Sequence, residues 1–215
     1  IPNWFGEGTM RWWLMARGTF GGIAMCCYFT TLQLLPLGDG IVLATLYPAF
    51  TVIIARIALK EYLTVIKTSA VIICGGGAFL IAQPSFLFPK DTKAEKASDY
   101  AWIGYITAIA GSVSGAVVFV LIRRARSAHT FQHIWAWAWG SILASVILGN
   151  TVTTMSFPNA SQWAQIVPML LFGVTGHIMM SYAGRLAPAG LSSLMKSSDV
   201  LFAYIWEVLI FHQHV

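Results

Sequence analysis

Seven long apolar stretches constrain the fold of this chain more than any other feature of its sequence. They cover roughly residues 14–35, 38–59, 64–82, 101–122, 131–150, 163–184 and 189–211. A helix that crosses a bilayer needs about 20 mostly apolar residues, and each stretch approaches or reaches that length. Because 57% of the residues are hydrophobic and only 10% are charged, a water-soluble globule is excluded. The sequence therefore predicts an all-α, multi-pass transmembrane helix bundle.

One polar segment divides these spans into two groups. Residues 83–100 carry prolines and a mixed run of charges, which is typical of a solvated loop. We therefore predict a first unit over residues 1–82, with three spans, and a second over residues 101–215, with four. The chain begins without an initiator methionine or a signal peptide, as a fragment would.

Lysines and arginines in the loops and near the ends of the spans fall mainly on one side of the predicted bundle. Counted on alternate sides, nine lie on the side of the N-terminal segment, including Arg11 and Arg17, and three lie on the other side. The positive-inside rule makes the first side cytoplasmic, and it explains the net charge of +5 without nucleic acid. The sequon at Asn159 then lies outside or in a lumen, which makes it a candidate glycosylation site.

The last span places three charged side chains, Lys196, Asp199 and Glu207, in apolar surroundings. At about 100° per residue, all three share one face of a helix. Ionisable groups inside a membrane mark solute pathways, so we predict that this face lines one. The alternatives are that Lys196 and Asp199 only neutralise each other as a packing pair, and that Glu207 reaches the outer interface.

Three uncharged side chains are further candidates for binding a solute. His177 lies in the sixth span; its alternative role is a core histidine bonded to a backbone carbonyl or to Thr175. Tyr47 and Tyr182 can offer hydroxyls or stacking faces, although a single tyrosine in such a position more often serves packing. No metal-ligand spacing and no Gly-x-x-x-x-Gly-Lys phosphate loop is present. We therefore expect no cofactor, no ATP and no enzymatic activity.

Tryptophans and glycines suggest how the helices are anchored and packed. Tryptophans near span ends are predicted to anchor at the membrane interface; they are Trp12, Trp13, Trp102, Trp135, Trp137 and Trp163. Glycines in the third and fourth spans are predicted to allow close helix contacts; they are Gly75, Gly76, Gly77, Gly111 and Gly115.

An internal repeat appears when the chain is shifted by 152 residues against itself. Residues 34–61 then align with residues 186–213, with identities at Leu34 and Leu186 and at Pro36 and Pro188. Tyr47 falls opposite Asp199. Five predicted spans separate the two copies, so the copies run in opposite directions through the membrane. Inverted repeats of this kind are typical of secondary transporters.

The motifs in these repeats resemble the EamA-type drug/metabolite transporter superfamily, and its eukaryotic solute-carrier branch related to nucleotide-sugar carriers. They are Arg17-Gly18, Leu35-Pro36-Leu37-Gly38-Asp39, Tyr47-Pro48-Ala49-Phe50, Leu59-Lys60-Glu61, Leu186-Ala187-Pro188 and Asp199-Val200-Leu201-Phe202-Ala203-Tyr204. The resemblance implies a ten-helix fold of five plus five, of which this chain supplies the third to the ninth helix. Gln213 stands where the family's second repeat usually ends in Glu.

The resemblance also implies alternating-access carriage of a small polar organic solute. The plasma membrane and an endomembrane both remain open, as does a homodimer. The competing interpretation is a non-transporting membrane scaffold or subunit. Three other classes are disfavoured. An opsin-like receptor would need a carboxylate in the third span, and an aspartyl protease would need Gly-x-Gly-Asp, whose first glycine is missing before Gly38-Asp39. A channel would need a pore loop or a ring of like charges, and neither is visible.

Overall fold

The structure is a computed structural model that describes residues 4, 6–35, 40, 43–44, 46–62, 64–65, 68–69, 71–73, 76, 101–151, 157–196, 198 and 202. Over these ranges every regular element is a helix. The helices are α1 (Thr9–Leu34), α2 (Tyr47–Ala58), α3 (Ala101–Arg124), α4 (Thr130–Thr151), α5 (Ala160–Leu186) and α6 (Ala189–Lys196). The predicted all-α class is confirmed. The number of membrane crossings, the division into units and the inverted repeat remain predictions.

The helices follow the predicted spans with modest shifts at their ends. α1 begins five residues before the predicted start at 14, and α5 begins three residues before the predicted start at 163. α2 covers only the second part of span 38–59; Pro48 lies in its first turn, where a missing N–H costs no helical bond. Most of span 64–82, the loop 83–100 and most of the last span after Lys196 lie outside the described residues.

Two described helices are both long and apolar enough to cross a membrane by length and composition, namely Trp102–Arg124 within α3 and the whole of α5. They differ in their surroundings. Half of the most apolar stretch of α3 is buried against other helices, whereas only 6% of the corresponding stretch of α5 is buried. α3 is thus a central helix that packs against α1, α2, α5 and α6, while α5 presents most of its surface outward.

The closest helix contact in the described part of the chain lies between α1 and α4. A methyl group added at Gly140 would collide with the backbone of Gly18, and one added at Gly22 would lie 2.8 Å from the carbonyl carbon of Gly140. Gly18 and Gly22 are four residues apart and share one face of α1, which is the small-xxx-small arrangement that lets backbones touch. This contact, which the sequence interpretation overlooked, fixes α1 against α4.

The predicted glycine contacts in the third and fourth spans have mixed outcomes. Gly111 is confirmed as a contact point, because a methyl there would lie 3.0 Å from Cβ of Cys27 on α1. Gly115 has only Cβ of Tyr47 at 3.7 Å, an ordinary contact distance. Gly76 has no described atom within 4 Å of an added methyl, so the close packing predicted for it stays a prediction; Gly75 and Gly77 lie outside the described residues.

An apolar core joins α2, α3 and α6. Its buried members are Ala55, Phe119, Val120 and Ala189, with Tyr47, Ile54, Leu59 and Met180 packed against it. A methyl added at Gly190 would lie 3.0 Å from Cγ2 of Val52, so α6 approaches α2 closely. The two helices come from the segments that the predicted repeat aligns, and they meet at the end of the bundle where α2 and α3 finish and α6 begins.

Candidate functional site

Arg17 is the most unusual side chain in the described structure. It lies within α1 with no exposed surface. Nη2 donates to Oγ of Ser181 on α5 at 3.5 Å, but Nε and Nη1 have no hydrogen-bond partner. The sequence interpretation counted Arg17 among the loop charges, and that placement is wrong. The neighbouring glycines bring α4 so close that the long side chain is enclosed between α1, α4 and α5.

A stacked pair of rings lies beside this guanidinium. The rings of Trp137 on α4 and His177 on α5 have centroids 3.7 Å apart and planes inclined by 27°. A methyl added at Gly21 would lie 3.0 Å from Cδ1 of Trp137 and 3.7 Å from Nη1 of Arg17, so the indole and the guanidinium both lie next to Gly21. His177 and Ser181 are one helical turn apart on the same face of α5. We call Arg17, Trp137, His177 and Ser181 the polar cluster.

The structure bears on two of the sequence predictions. The hydroxyl of Thr175 donates to the carbonyl of Leu171 at 2.8 Å, and Nδ1 of His177 has no hydrogen-bond partner; the role of His177 stays a prediction. Trp137 was predicted to anchor at the membrane interface, but it lies inside α4 and stacks on His177. Trp12 and Trp102 are exposed, as interface anchors would be.

Among the described residues the polar cluster carries positive charge without a neighbouring carboxylate. Arg17 and Lys196 both act electrostatically on His177, and Arg17 makes no ion pair with any described residue. Burial of an unpaired guanidinium is expensive because the ion loses its hydration. The arrangement can therefore offer unpaired N–H donors and a positive potential to a group that enters between the three helices.

The other predicted site residues are distributed over several places. Lys196 is the exposed last residue of α6, while Asp199 and Glu207 lie outside the described residues. Tyr47 is half-buried and stacks on Phe119, with centroids 5.7 Å apart and planes within 3°. Tyr182 is exposed and lies about 140° around α5 from His177. Of the predicted set, the described residues bring only His177 and Lys196 within electrostatic range of each other.

A second group of charged residues joins helix ends. Oε1 of Glu61 accepts the backbone N–H of Ala189 at 3.2 Å and lies 4.0 Å from Nε of Arg123. Ala189 is the first residue of α6, so the carboxylate faces the positive end of that helix. Lys60 has a left-handed backbone, with φ 54°, and turns the chain after α2 so that Glu61 reaches this position.

The same group continues to the ends of three more helices. Nη1 of Arg123 donates to the carbonyl of Arg185 at 2.7 Å. Arg185 in turn donates from Nε to the carbonyl of Arg126 at 2.9 Å and from Nη1 to Oγ1 of Thr130 at 2.8 Å. We call Glu61, Arg123 and Arg185, with these partners, the clasp. The sequence interpretation noted Leu59-Lys60-Glu61 only as the end of a repeat, although a lone carboxylate after an apolar span was a visible signal.

Two further expectations concern the remaining surface. Asn159 is exposed before α5, and its backbone N–H donates to Oε1 of Gln162 at 2.7 Å; its glycosylation remains a prediction. Among the described residues no group of three or more His, Cys, Asp or Glu side chains is placed to hold a metal ion.

Comparison with known proteins gives a family match over nearly the whole chain. The sequence profile of the EamA-like transporter family matches residues 2–83 and 102–215. Human solute carrier family 35 member G1 is 30% identical over 213 residues, which are 98% of this chain and 58% of that protein. The mouse protein of the same name is 29% identical over 212 residues, 97% of this chain and 58% of its own length.

A bacterial relative is more distant. The pseudopaline exporter CntI of Pseudomonas aeruginosa is 21% identical over 201 residues, which are 93% of this chain and 66% of that protein. The chain thus spans somewhat more than half the length of the mammalian relatives it matches.

Proposed function

The chain belongs to the EamA-like transporter family, and on that premise we propose that it serves as a secondary transporter that carries a small polar organic solute across a membrane by alternating access. The observation that carries the proposal is the polar cluster, which places unpaired N–H donors inside an otherwise apolar helix bundle. In membrane proteins, charged groups that face the bundle interior mark solute pathways. The names of the relatives, a solute carrier and an exporter, agree with this assignment.

The proposed solute site combines the polar cluster with residues predicted from the sequence. Lys196 already acts electrostatically on His177, and Asp199 follows one turn later in the chain. We propose that these two extend the site, and that Tyr47, Tyr182 and Glu207 line the path on either side of it. The bilayer is the surrounding medium.

The clasp supplies the proposed gate. Glu61 belongs to the first predicted unit, while Ala189 and Arg123 belong to the second, so their contact ties the units at one end of the bundle. By the positive-inside rule that end is cytoplasmic. In the proposed cycle, opening toward the cytoplasm breaks the contact of Glu61 with Ala189, and closure restores it.

Solute counterflow in proteoliposomes tests the proposal. The full-length protein is reconstituted, the vesicles are loaded with unlabelled polar metabolites one at a time, and uptake of the labelled compound is followed without ATP. We expect saturable uptake of at least one compound, strongly reduced in Lys196→Ala and Asp199→Ala and unchanged in Arg11→Ala, whose side chain is exposed on α1. Uptake equal to that of empty vesicles for every compound favours the scaffold interpretation.

Sidedness is tested separately from transport. Native membranes are treated with protease and with glycosidase, and the wild type is compared with Asn159→Gln. We expect a glycan that only the wild type carries and a protected loop before α5, with the clasp end accessible from the cytoplasm. An unglycosylated Asn159 that is accessible from the cytoplasm would reverse the proposed orientation of the gate.

A further inference from the structure

The inference starts from the number of donors that Arg17 leaves unused. A guanidinium has five N–H groups, yet the only contact of Arg17 described above is the long one to Ser181, at 3.5 Å. Nε and Nη1 have no partner at all, and the side chain has no exposed surface where water could replace one. A buried cation of this kind is normally retained with an anion that accepts its N–H groups.

No described residue supplies that anion. The described ion pair involving a carboxylate joins Glu61 to Arg123, which belong to the clasp. Arg17 makes no ion pair with any described residue. Lys196 adds a second positive charge near His177. Among the described residues the charge of Arg17 is therefore not compensated, and its free N–H groups can accept a bound anion as their partner.

The surroundings of Arg17 are suited to a small planar or tetrahedral anion. Its guanidinium forms a fork that matches two oxygens of a carboxylate or phosphate. The hydroxyl of Ser181 lies beside Nη2 and can donate to the same oxygens. The stacked rings of Trp137 and His177 lie close to the guanidinium, on the side of Gly21, so an organic body attached to the anionic group would meet aromatic surface there.

We propose that Arg17 is an anion-binding group, and that the polar cluster binds a carboxylate or phosphate through the guanidinium of Arg17 and the hydroxyl of Ser181. The proposal deepens the proposed function and rests on it for one point only, the identification of the bound group as part of the transported solute. A solute anion and a phospholipid headgroup share this chemistry, and the experiment separates them.

Anion-dependent thermal stability of the purified protein is the test. The full chain in detergent is titrated with sodium phosphate and with sodium acetate, each against sodium chloride at matched ionic strength, and the midpoint of thermal unfolding is recorded. Parallel samples contain phosphatidylglycerol or phosphatidylcholine instead of the small anions. The variants are Arg17→Gln, Arg17→Lys and Ser181→Ala, with Arg11→Gln as the matched control on the exposed side of α1.

We expect the midpoint of the wild type and of Arg11→Gln to rise saturably with phosphate or acetate. The apparent Kd should weaken about tenfold or more in Arg17→Gln, and less in Ser181→Ala and Arg17→Lys, which keep the charge. The two charge-conserving variants make the test independent of whether Arg17→Gln folds. The comparison with Arg11→Gln removes the general stabilisation that phosphate gives to any protein.

Three results have definite consequences. A shift with phosphatidylglycerol alone, lost in Arg17→Gln, would assign the site to a lipid headgroup and overturn its role in solute binding. Equal responses of wild type and Arg17 variants, or no saturable response to any probe, would overturn the anion site itself. Saturable anion binding through Arg17 in a protein without counterflow would overturn the proposed function and leave the anion site standing.

Discussion

The clasp and the polar cluster are both built around arginines. Those of the clasp lie at helix ends and have hydrogen-bond partners, whereas Arg17 of the polar cluster lies inside a helix and leaves most of its donors unused. Arg123 and Arg185 donate to carbonyls and a hydroxyl at 2.7–2.9 Å, and Glu61 lies beside Arg123. Arg17 has one long contact and two nitrogens without a partner. Among the described residues, the charge in the clasp is therefore compensated, whereas the charge in the polar cluster is not.

This difference separates two uses of a buried or half-buried cation. A compensated cation lowers the free energy of the folded state by tying helix ends together. An uncompensated cation raises that free energy until a ligand binds. A role in binding a ligand therefore explains a buried, unpaired arginine better than a role in stabilising the fold. The comparison predicts that neutralising the two groups should change stability in opposite directions.

The largest expected effect comes from the helix contact that encloses the cluster. Gly140→Leu would drive a side chain into the backbone of Gly18, which should destabilise the fold by about 4 kcal/mol or more. Size-exclusion profiles and thermal midpoints in detergent measure this. Gly173→Leu on α5, where nothing lies within 4 Å, is the matched control, and equal damage by both substitutions would contradict the assigned contact.

Removal of the clasp carboxylate should have the next largest effect. Glu61→Ala leaves the N–H of Ala189 and the guanidinium of Arg123 without their partner, which should lower the free energy of unfolding by about 2 kcal/mol. The neighbouring Tyr62→Ala, at a side chain that is 85% exposed, should have little effect. An unchanged thermal midpoint in Glu61→Ala would show that the clasp does not hold the helix ends.

Neutralisation of the cluster should act in the other direction. Arg17→Met replaces an unpaired buried charge with an apolar side chain of similar length, and should raise the free energy of unfolding by about 1 kcal/mol in chloride buffer. The thermal midpoint is compared with that of Arg11→Met, which should match the wild type. A marked loss of stability in Arg17→Met alone would mean that Arg17 is a structural contact and would remove the contrast with the clasp.

The smallest expected effect is the coupling between Glu61 and Arg123. Their side chains are 20% and 21% exposed and the charged atoms are 4.0 Å apart, so a double-mutant cycle with Glu61→Gln and Arg123→Gln should give about 0.5 kcal/mol. This coupling should fall in high salt. A coupling of zero at low salt would assign the strength of the clasp to its hydrogen bonds alone.

The sequence predicted the helices well because apolar length is a local property. The spans at 101–122 and 131–150 agree with α3 and α4 to within two residues at either end. His177 was also identified as a candidate from its place in an apolar span, and it does lie in the polar cluster. These predictions required only the composition of single segments.

The sequence did not predict which residues meet. Arg17 was assigned to a loop and Trp137 to the membrane interface, because each was judged only by its position in its own span. The burial of Arg17 and the position of Trp137 beside it depend on the contact of Gly18 with Gly140, residues that lie more than a hundred positions apart in the chain. The bond from Glu61 to Ala189 spans 128 residues and was equally out of reach. The available signal for the polar cluster was an apolar span in which Arg17 is followed by Gly18, Gly21 and Gly22.

The left-handed backbone at Lys60 gives the clasp a simple hinge. A residue other than glycine resists this conformation by about 1 kcal/mol, and here the cost is offset by the contacts that Glu61 makes beyond it. When those contacts break, rotation of this one residue relieves the torsional strain and carries the carboxylate away from α6. In the proposed gate this strain is present only while the clasp is closed, so it opposes closure and speeds release, and neither helix has to unwind.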